Sequence, residues 1–346
     1  MISRAVAIFT LGGAALLASV EAGATCMPRE TAPGAFRNQP RVWGTTDSGP
    51  IIDGFLDLRR DNGLAEIEHG VDLSHHNTGV LYEQLRSCGA TFAIVKMDRR
   101  FAAHRRALEA QSIQVIPYFY LSVVGPDGTN YRNVPSRFSN GQAELSREQV
   151  EALLTTARAI GAAKARQFLV DYGGHYPTAR PLSLAGISGL FIALDVEETF
   201  GTRPSTPLQR RYFGRFYAAM LTSWVTAVRR EFADAVIIFY TFPAVYTDYL
   251  QYAYPSDNAV IHGMPVWLAR TRGDGSDFNL SSDRNLQRIC LSSSGGNRCI
   301  LHQYSHRATF GFPPSSAAVP PHIDVNRLFM VRQVVDTAGT QYVRRD

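Results

Sequence analysis

The chain has 346 residues, 45% of them hydrophobic and 19% charged. That balance can bury a large core and excludes a disordered or collagen-like protein. Lys and Arg number 35 against 30 Asp and Glu, a net charge of +5, too mild and too dispersed an excess to argue for nucleic-acid binding. The length fits two domains, or one large α/β barrel carrying insertions.

The first residues carry an export signature. Arg4 precedes an apolar run from Ala5 to Val20, and Ala22-Gly23-Ala24 follows as a small-residue cleavage site. Residues 1–24 are therefore expected to be a signal peptide, which places the mature chain in the periplasm or outside the cell. No later segment has the ~18 continuous apolar residues of a membrane span, so none is expected in the mature chain. The four cysteines suit an oxidising compartment. Cys290 and Cys299 bracket a turn-rich stretch and are expected to pair, while a Cys26–Cys88 pair is possible but unsupported by spacing.

Residues 25–68 are aperiodic and contain Pro and Gly, as in an extension or linker, with one strand expected near Ile51–Leu58. From His69 onward, strand-like runs alternate with amphipathic segments. Strands are expected at Gly70–Ser74, Thr91–Met97, Gln114–Ser122, Leu190–Glu197, Val236–Thr241, Pro265–Arg270, Cys299–Ser305 and Ile323–Val325. Helices are expected near Val80–Ser87, Ala102–Gln111, Ser146–Gly161, Pro207–Glu231 and Pro243–Tyr249, the third opened by a Ser146/Gln149 capping box. About eight strands point to an α/β fold of the (β/α) barrel type, irregular and with fewer than eight helices, spanning residues 69–335. Residues 336–346 are left as a tail. Two long inserts, Gly125–Gln142 and Thr271–Arg298, interrupt the pattern and are expected to shape the catalytic mouth.

Three segments could carry chemistry. In Phe191-Ile-Ala-Leu-Asp-Val-Glu-Glu198 an apolar strand runs into Asp195 and Glu197. Residues two apart on a strand share a face, their Cα atoms about 6.6 Å apart. Two such carboxylates resist double ionisation, so one is kept protonated, as an acid catalyst requires. A solvated acidic strand end is the alternative. His69-Gly-Val-Asp-Leu-Ser-His-His76 ends a strand with Asp72 and Ser74, followed by two histidines. These read as ordinary hydrogen-bonding groups more readily than as metal ligands. Cys299-Ile-Leu-His-Gln-Tyr-Ser305 and His322-Ile-Asp-Val-Asn-Arg327 bring Asp324, which could instead cap a turn.

Taken in order, these pieces resemble the family 25 glycoside hydrolases, lysozymes of the N-acetylmuramidase type. Gly70-Val71-Asp72 with Ser74 matches the family's opening strand. Phe92-Ala-Ile-Val-Lys96 matches its second, and Tyr118 the aromatic of its third. Asp195 and Glu197 match the central D-x-E. Tyr240-Thr241, Trp267-Leu-Ala269, His302-Gln-Tyr304 and Asp324-Val-Asn326 match the later strands, so the resemblance spans residues 69–330. The chain departs from the family at Met97-Asp-Arg-Arg100, at Phe119 and at His302, where the family has a Trp.

The resemblance implies hydrolysis of the bond after N-acetylmuramic acid in peptidoglycan glycan strands by a monomer without metal or organic cofactor. Glu197 would be the general acid and base, Asp195 the group that steadies the substrate acetamido, and Asp72 and Asp324 acids that tune the pair. Tyr118, Tyr240, Trp267, Gln303 and Tyr304 would line the sugar site, although each aromatic can equally be a core residue. A catalytically silent barrel that binds wall polymer or a protein is the alternative function. A hydrolase of chitin-like polymers is a further one, disfavoured because the longer acid series of barrel chitinases is absent before Asp195.

Overall fold

The computed structural model describes residues 66–125, 128–130, 144–184, 187–198, 206–269, 284–291, 298–308, 311–312, 322–329, 333–335 and 341–343. The expected signal peptide, the strand near Ile51–Leu58, Cys26 and most of both inserts lie outside the described residues.

The first units are β1 (Glu66–Leu73), α1 (Tyr82–Ser87), β2 (Ala90–Lys96), α2 (Phe101–Ala110) and β3 (Gln114–Tyr120). A long helix α3 (Arg147–His175) leads to β4 (Leu182–Leu184) and β5 (Ile187–Asp195). Then come α4 (Pro207–Glu231), β6 (Ala235–Thr241), α5 (Pro243–Asp248), α6 (Pro255–His262) and β7 (Val266–Ala269). The chain continues through α7 (Arg284–Cys290), β8 (Cys299–Ala308), β9 (Ile323–Phe329), β10 (Gln333–Val335) and β11 (Gln341–Val343).

Eight strands close on themselves in the order β1-β2-β3-β5-β6-β7-β8-β9, since β3 pairs with β5 and β9 returns to β1. Seven run parallel, and β9 alone is antiparallel to both its neighbours. With seven α-helices among the described residues, this is the expected irregular barrel. Its first strand starts at Glu66, before the expected boundary at His69.

Strand alternation divides the apolar residues into two cores. Phe92, Ile94, Ile116, Phe191, Ala193, Val236 and Ile238 fill the barrel, whereas Val71, Ala93, Val95, Ile192, Leu194 and Ile237 face the helices. Gly70 belongs to the inner face because a side chain there would collide with Phe92. A Cβ would lie 2.3 Å from its ring.

The Ser146 capping box opens α3 as expected, with Gln149 Oε1 accepting the Ser146 N–H at 2.8 Å. The helix does not stop at Gly161. Ala165, Phe168 and Tyr172 continue its buried stripe to His175, and Gly161 is the place where α4 approaches. A Cβ at Gly161 would lie 2.1 Å from the Met220 carbonyl oxygen.

The Cys290–Cys299 disulfide is present, joining α7 to β8 with the Cα atoms 4.8 Å apart. Cys88 is also disulfide-bonded, to a partner outside the described residues. Arg298 reinforces the junction from inside. Its Nε donates to the Ile289 carbonyl at 2.8 Å, and its guanidinium also reaches the Ile261 carbonyl.

The Gly161 contact sets a stability test. Gly161→Ala meets backbone, which cannot rotate aside, so the variant should lose about 1–3 kcal/mol, the usual range for overpacking. Thermal unfolding should show a lower Tm with an unchanged far-ultraviolet spectrum. An unchanged Tm contradicts the close approach of α3 and α4.

Candidate active site

The inner face of β5 runs Phe191, Ala193, Asp195, and Glu197 follows just past the C-terminal end of the strand, near enough for its charge to act on Asp195. Asp195 is 5% exposed, and Glu197 is half-buried. Burial, then the neighbouring Glu197 charge, pushes the Asp195 carboxyl well above the ordinary range, with Asp72 adding and Lys96 opposing. Glu197 is raised too, first by burial and then by Asp72, again against Lys96. Asp195 Oδ1 is buried and has no hydrogen-bond partner among the described residues.

The second acidic group stands across the barrel, where β1 meets β9. Asp72 and Asp324 are partners in that antiparallel pair. Asp72 Oδ2 accepts from Gln303 Nε2 and Asn326 Nδ2, each at 2.9 Å, and Gln303 Nε2 also reaches Asp324 Oδ2 at 3.2 Å. Burial raises Asp72, while hydrogen bonds to Asn326, Asp324 and Gln303 restrain it.

This network extends to the expected aromatics. Tyr240 Oη donates to Gln303 Oε1 at 3.0 Å, and Trp267 Nε1 donates to Asn326 Oδ1 at 2.8 Å. The Trp267 ring lies 4.3 Å from Tyr240 and 6.3 Å from Tyr118, centroid to centroid. The structure thus brings Tyr118, Tyr240, Trp267 and Gln303 to the inner face that carries the acids.

Tyr304 is a correction. With Gln303 turned inward, its neighbours His302 and Tyr304 must turn outward. Tyr304 is 0% exposed in the outer core, with the Arg327 guanidinium 5.5 Å from its ring. His302 is likewise buried, and its Nδ1 accepts from Arg327 Nε at 3.2 Å. Neither lines the site. Strand parity in the sequence was the signal that would have excluded Tyr304.

Three residues matter beyond the expected list. Lys96 is the cation that opposes the upward pKa shift of both Asp195 and Glu197, and its Nζ lies 4.6 Å from the Tyr120 ring centroid. Asn326 couples Trp267 to Asp72. Glu198, next to Glu197, is buried and accepts the Val123 backbone N–H. At the rim, Asp98 accepts from the His75 backbone N–H at 2.9 Å and meets its Nδ1 at 3.0 Å. His75 is thus engaged by a carboxylate, and no group of three metal-ligating side chains occurs among the described residues.

The raised pKa values predict a pH signature. A carboxyl whose folded pKa exceeds its unfolded value binds protons better when folded, so stability falls as pH climbs above the unfolded value. For Asp195 that fall begins near its ordinary value of 3.8. Asp195→Asn removes the charge, so its Tm relative to the native chain should rise between pH 4 and pH 7. A difference that stays flat or falls across that interval contradicts the burial of this acid.

No protein-family model and no curated protein matches the chain. Among solved structures it is similar to a family 25 glycosyl hydrolase from Bacillus anthracis, at 14% identity over 76% of this chain and 89% of the other, with a TM-score of 0.44. It is similar to the spore cortex lytic enzyme SleM of Clostridium perfringens, at 15% identity over 78% and 68% of the two chains and a TM-score of 0.46. A family 25 lysozyme from Aspergillus fumigatus aligns at 14% identity over 75% and 93%, with a TM-score of 0.40.

Proposed function

We propose that the protein is an exported glycoside hydrolase. Its reaction is cleavage of the β-1,4 bond between N-acetylmuramic acid and N-acetylglucosamine in peptidoglycan. The observation that carries the reading is the pair at the end of β5. Two neighbouring carboxyls are held above their ordinary acidity range, and one of them presents a buried, unpartnered oxygen. The ordered motifs from Asp72 to Asn326 support it.

The chemistry follows from where the proton sits. An acetamido N–H arriving at Asp195 Oδ1 favours the ionised form of Asp195 and leaves the proton of the coupled pair on Glu197. Glu197 then donates that proton to the glycosidic oxygen as the bond to the anomeric carbon breaks. The acetamido carbonyl oxygen closes on that carbon, its N–H steadied by Asp195. Water opens the ring so formed, giving its proton to Glu197. Asp72 and Asp324, with Gln303 and Asn326, hold the opposite wall. Tyr118, Tyr240 and Trp267 supply apolar faces with polar edges for sugar rings. No metal or organic cofactor enters this scheme.

Export rests on Arg4, the Ala5–Val20 run and Ala22-Gly23-Ala24. No helix among the described residues is long and apolar enough to cross a membrane. The catalytic unit is the barrel that residues 69–335 were expected to form, extended back to Glu66, and it acts as a monomer.

Purified peptidoglycan incubated with the protein should lose turbidity and release muramic-acid reducing ends, read by mass analysis. Glu197→Gln should lower the rate by about 10²-fold or more, the worth of general acid catalysis. Equal clearing by the variant contradicts the acid assignment. Release of N-acetylglucosamine ends, or binding without release of either, contradicts the muramidase reading.

A further inference from the structure

Glu198 follows the acid donor directly. Just past the end of β5 it sits in the layer between sheet and helices, against Val123 and Tyr217, and is 4% exposed. Its Oε2 accepts the backbone N–H of Val123, in the loop that leaves β3. Its own carbonyl oxygen accepts the Tyr217 hydroxyl from α4. In the same loop the Leu121 N–H donates to the Asp195 carbonyl at 2.9 Å. The loop leaving β3 is therefore stitched to the acid segment twice, once by backbone and once by a side chain. Lys164 on α3 is close enough for attraction to Glu198. The chain's only two lysines, Lys96 and Lys164, thus attend the acid segment from inside and outside the barrel.

A carboxyl in such a layer is unfavourable unless its oxygens are hydrogen-bonded, so the Val123 contact holds Glu198 as much as Glu198 holds the loop. The loop leads into the insert that begins at Gly125. Resting on the hydrolase reading, we propose that Glu198 is a positioning residue. Its side chain ties the loop after β3 to the end of β5, and so fixes the direction in which Glu197 enters the barrel and the wall beside it. Without the tether the segment after Asp195 gains freedom, water reaches Glu197, and its proton is held less tightly.

The test compares the native chain with Glu198→Ala and Glu198→Gln in turbidity kinetics across pH, together with amide exchange at Val123. Glu198→Ala should lower kcat by roughly ten- to a hundredfold, the scale of a misplaced catalytic group, with a smaller change in KM. The alkaline limb of its kcat/KM profile should move to lower pH, and its Val123 amide should exchange faster. Glu198→Gln keeps an accepting oxygen and should restore all three. If Glu198→Ala does not fold, Glu198→Asp, one methylene too short to reach Val123, takes its place.

A variant that loses Tm yet keeps kcat and the alkaline limb overturns the proposal. So does unchanged exchange at Val123, or a Glu198→Gln variant as impaired as the alanine. The exchange reading does not depend on turnover. A native chain that clears no peptidoglycan while showing this exchange pattern refutes the hydrolase reading and leaves the tether standing.

Discussion

Carboxyls withdrawn from water repel one another and lose hydration, and the barrel concentrates four of them at one end. Asp195 ends β5 with Glu197 just past it, and Asp72 and Asp324 stand where β1 meets β9. Lys96 is the counter-charge that Asp195 and Glu197 share. One ammonium cannot neutralise all four acids, so protons must remain where ordinary carboxyls would have lost them. The proton that the proposed mechanism assigns to Glu197 is retained because of that shortage of positive charge.

The architecture makes the shortage tolerable. Gln303 and Asn326, from the last two barrel strands, bring amide hydrogens to Asp72, and their own carbonyl oxygens take the hydrogens of Tyr240 and Trp267. The strand that reverses direction, β9, thus closes the barrel and supplies both an acid and the amide that anchors its partner. Asp195 is treated differently. One of its oxygens is left without a donor among the described residues, so the two acidic pairs are not equivalent. One is hydrogen-bonded internally, and the other keeps a buried oxygen without a donor, the oxygen to which the proposed mechanism brings the acetamido N–H.

Much of this was legible beforehand because strand period is a strong signal. The run Phe191 to Asp195 declares its own inner face, and each of the eight expected strands overlaps one of the barrel's eight, although nothing in the sequence announced that β9 would run antiparallel. Legibility failed where side-chain direction was not followed through. Gln303 and Tyr304 adjoin in sequence and cannot share a face, yet both were expected to meet substrate. The reach of α3 past Gly161 was also hidden, because a glycine that ordinarily ends a helix here accommodates the Met220 carbonyl of a neighbouring helix. Glu198 gave no sign at all. Its burial arises from a loop and two long helices that meet it only in three dimensions.

Carbon-13 resonances of the side-chain carboxyls, assigned with single-residue variants and followed across pH, address the central claim most directly. The account predicts that Asp195 and Glu197 both titrate above their ordinary values of 3.8 and 4.5, with Asp195 the more displaced from its reference. Two independent titrations at those ordinary values would contradict it.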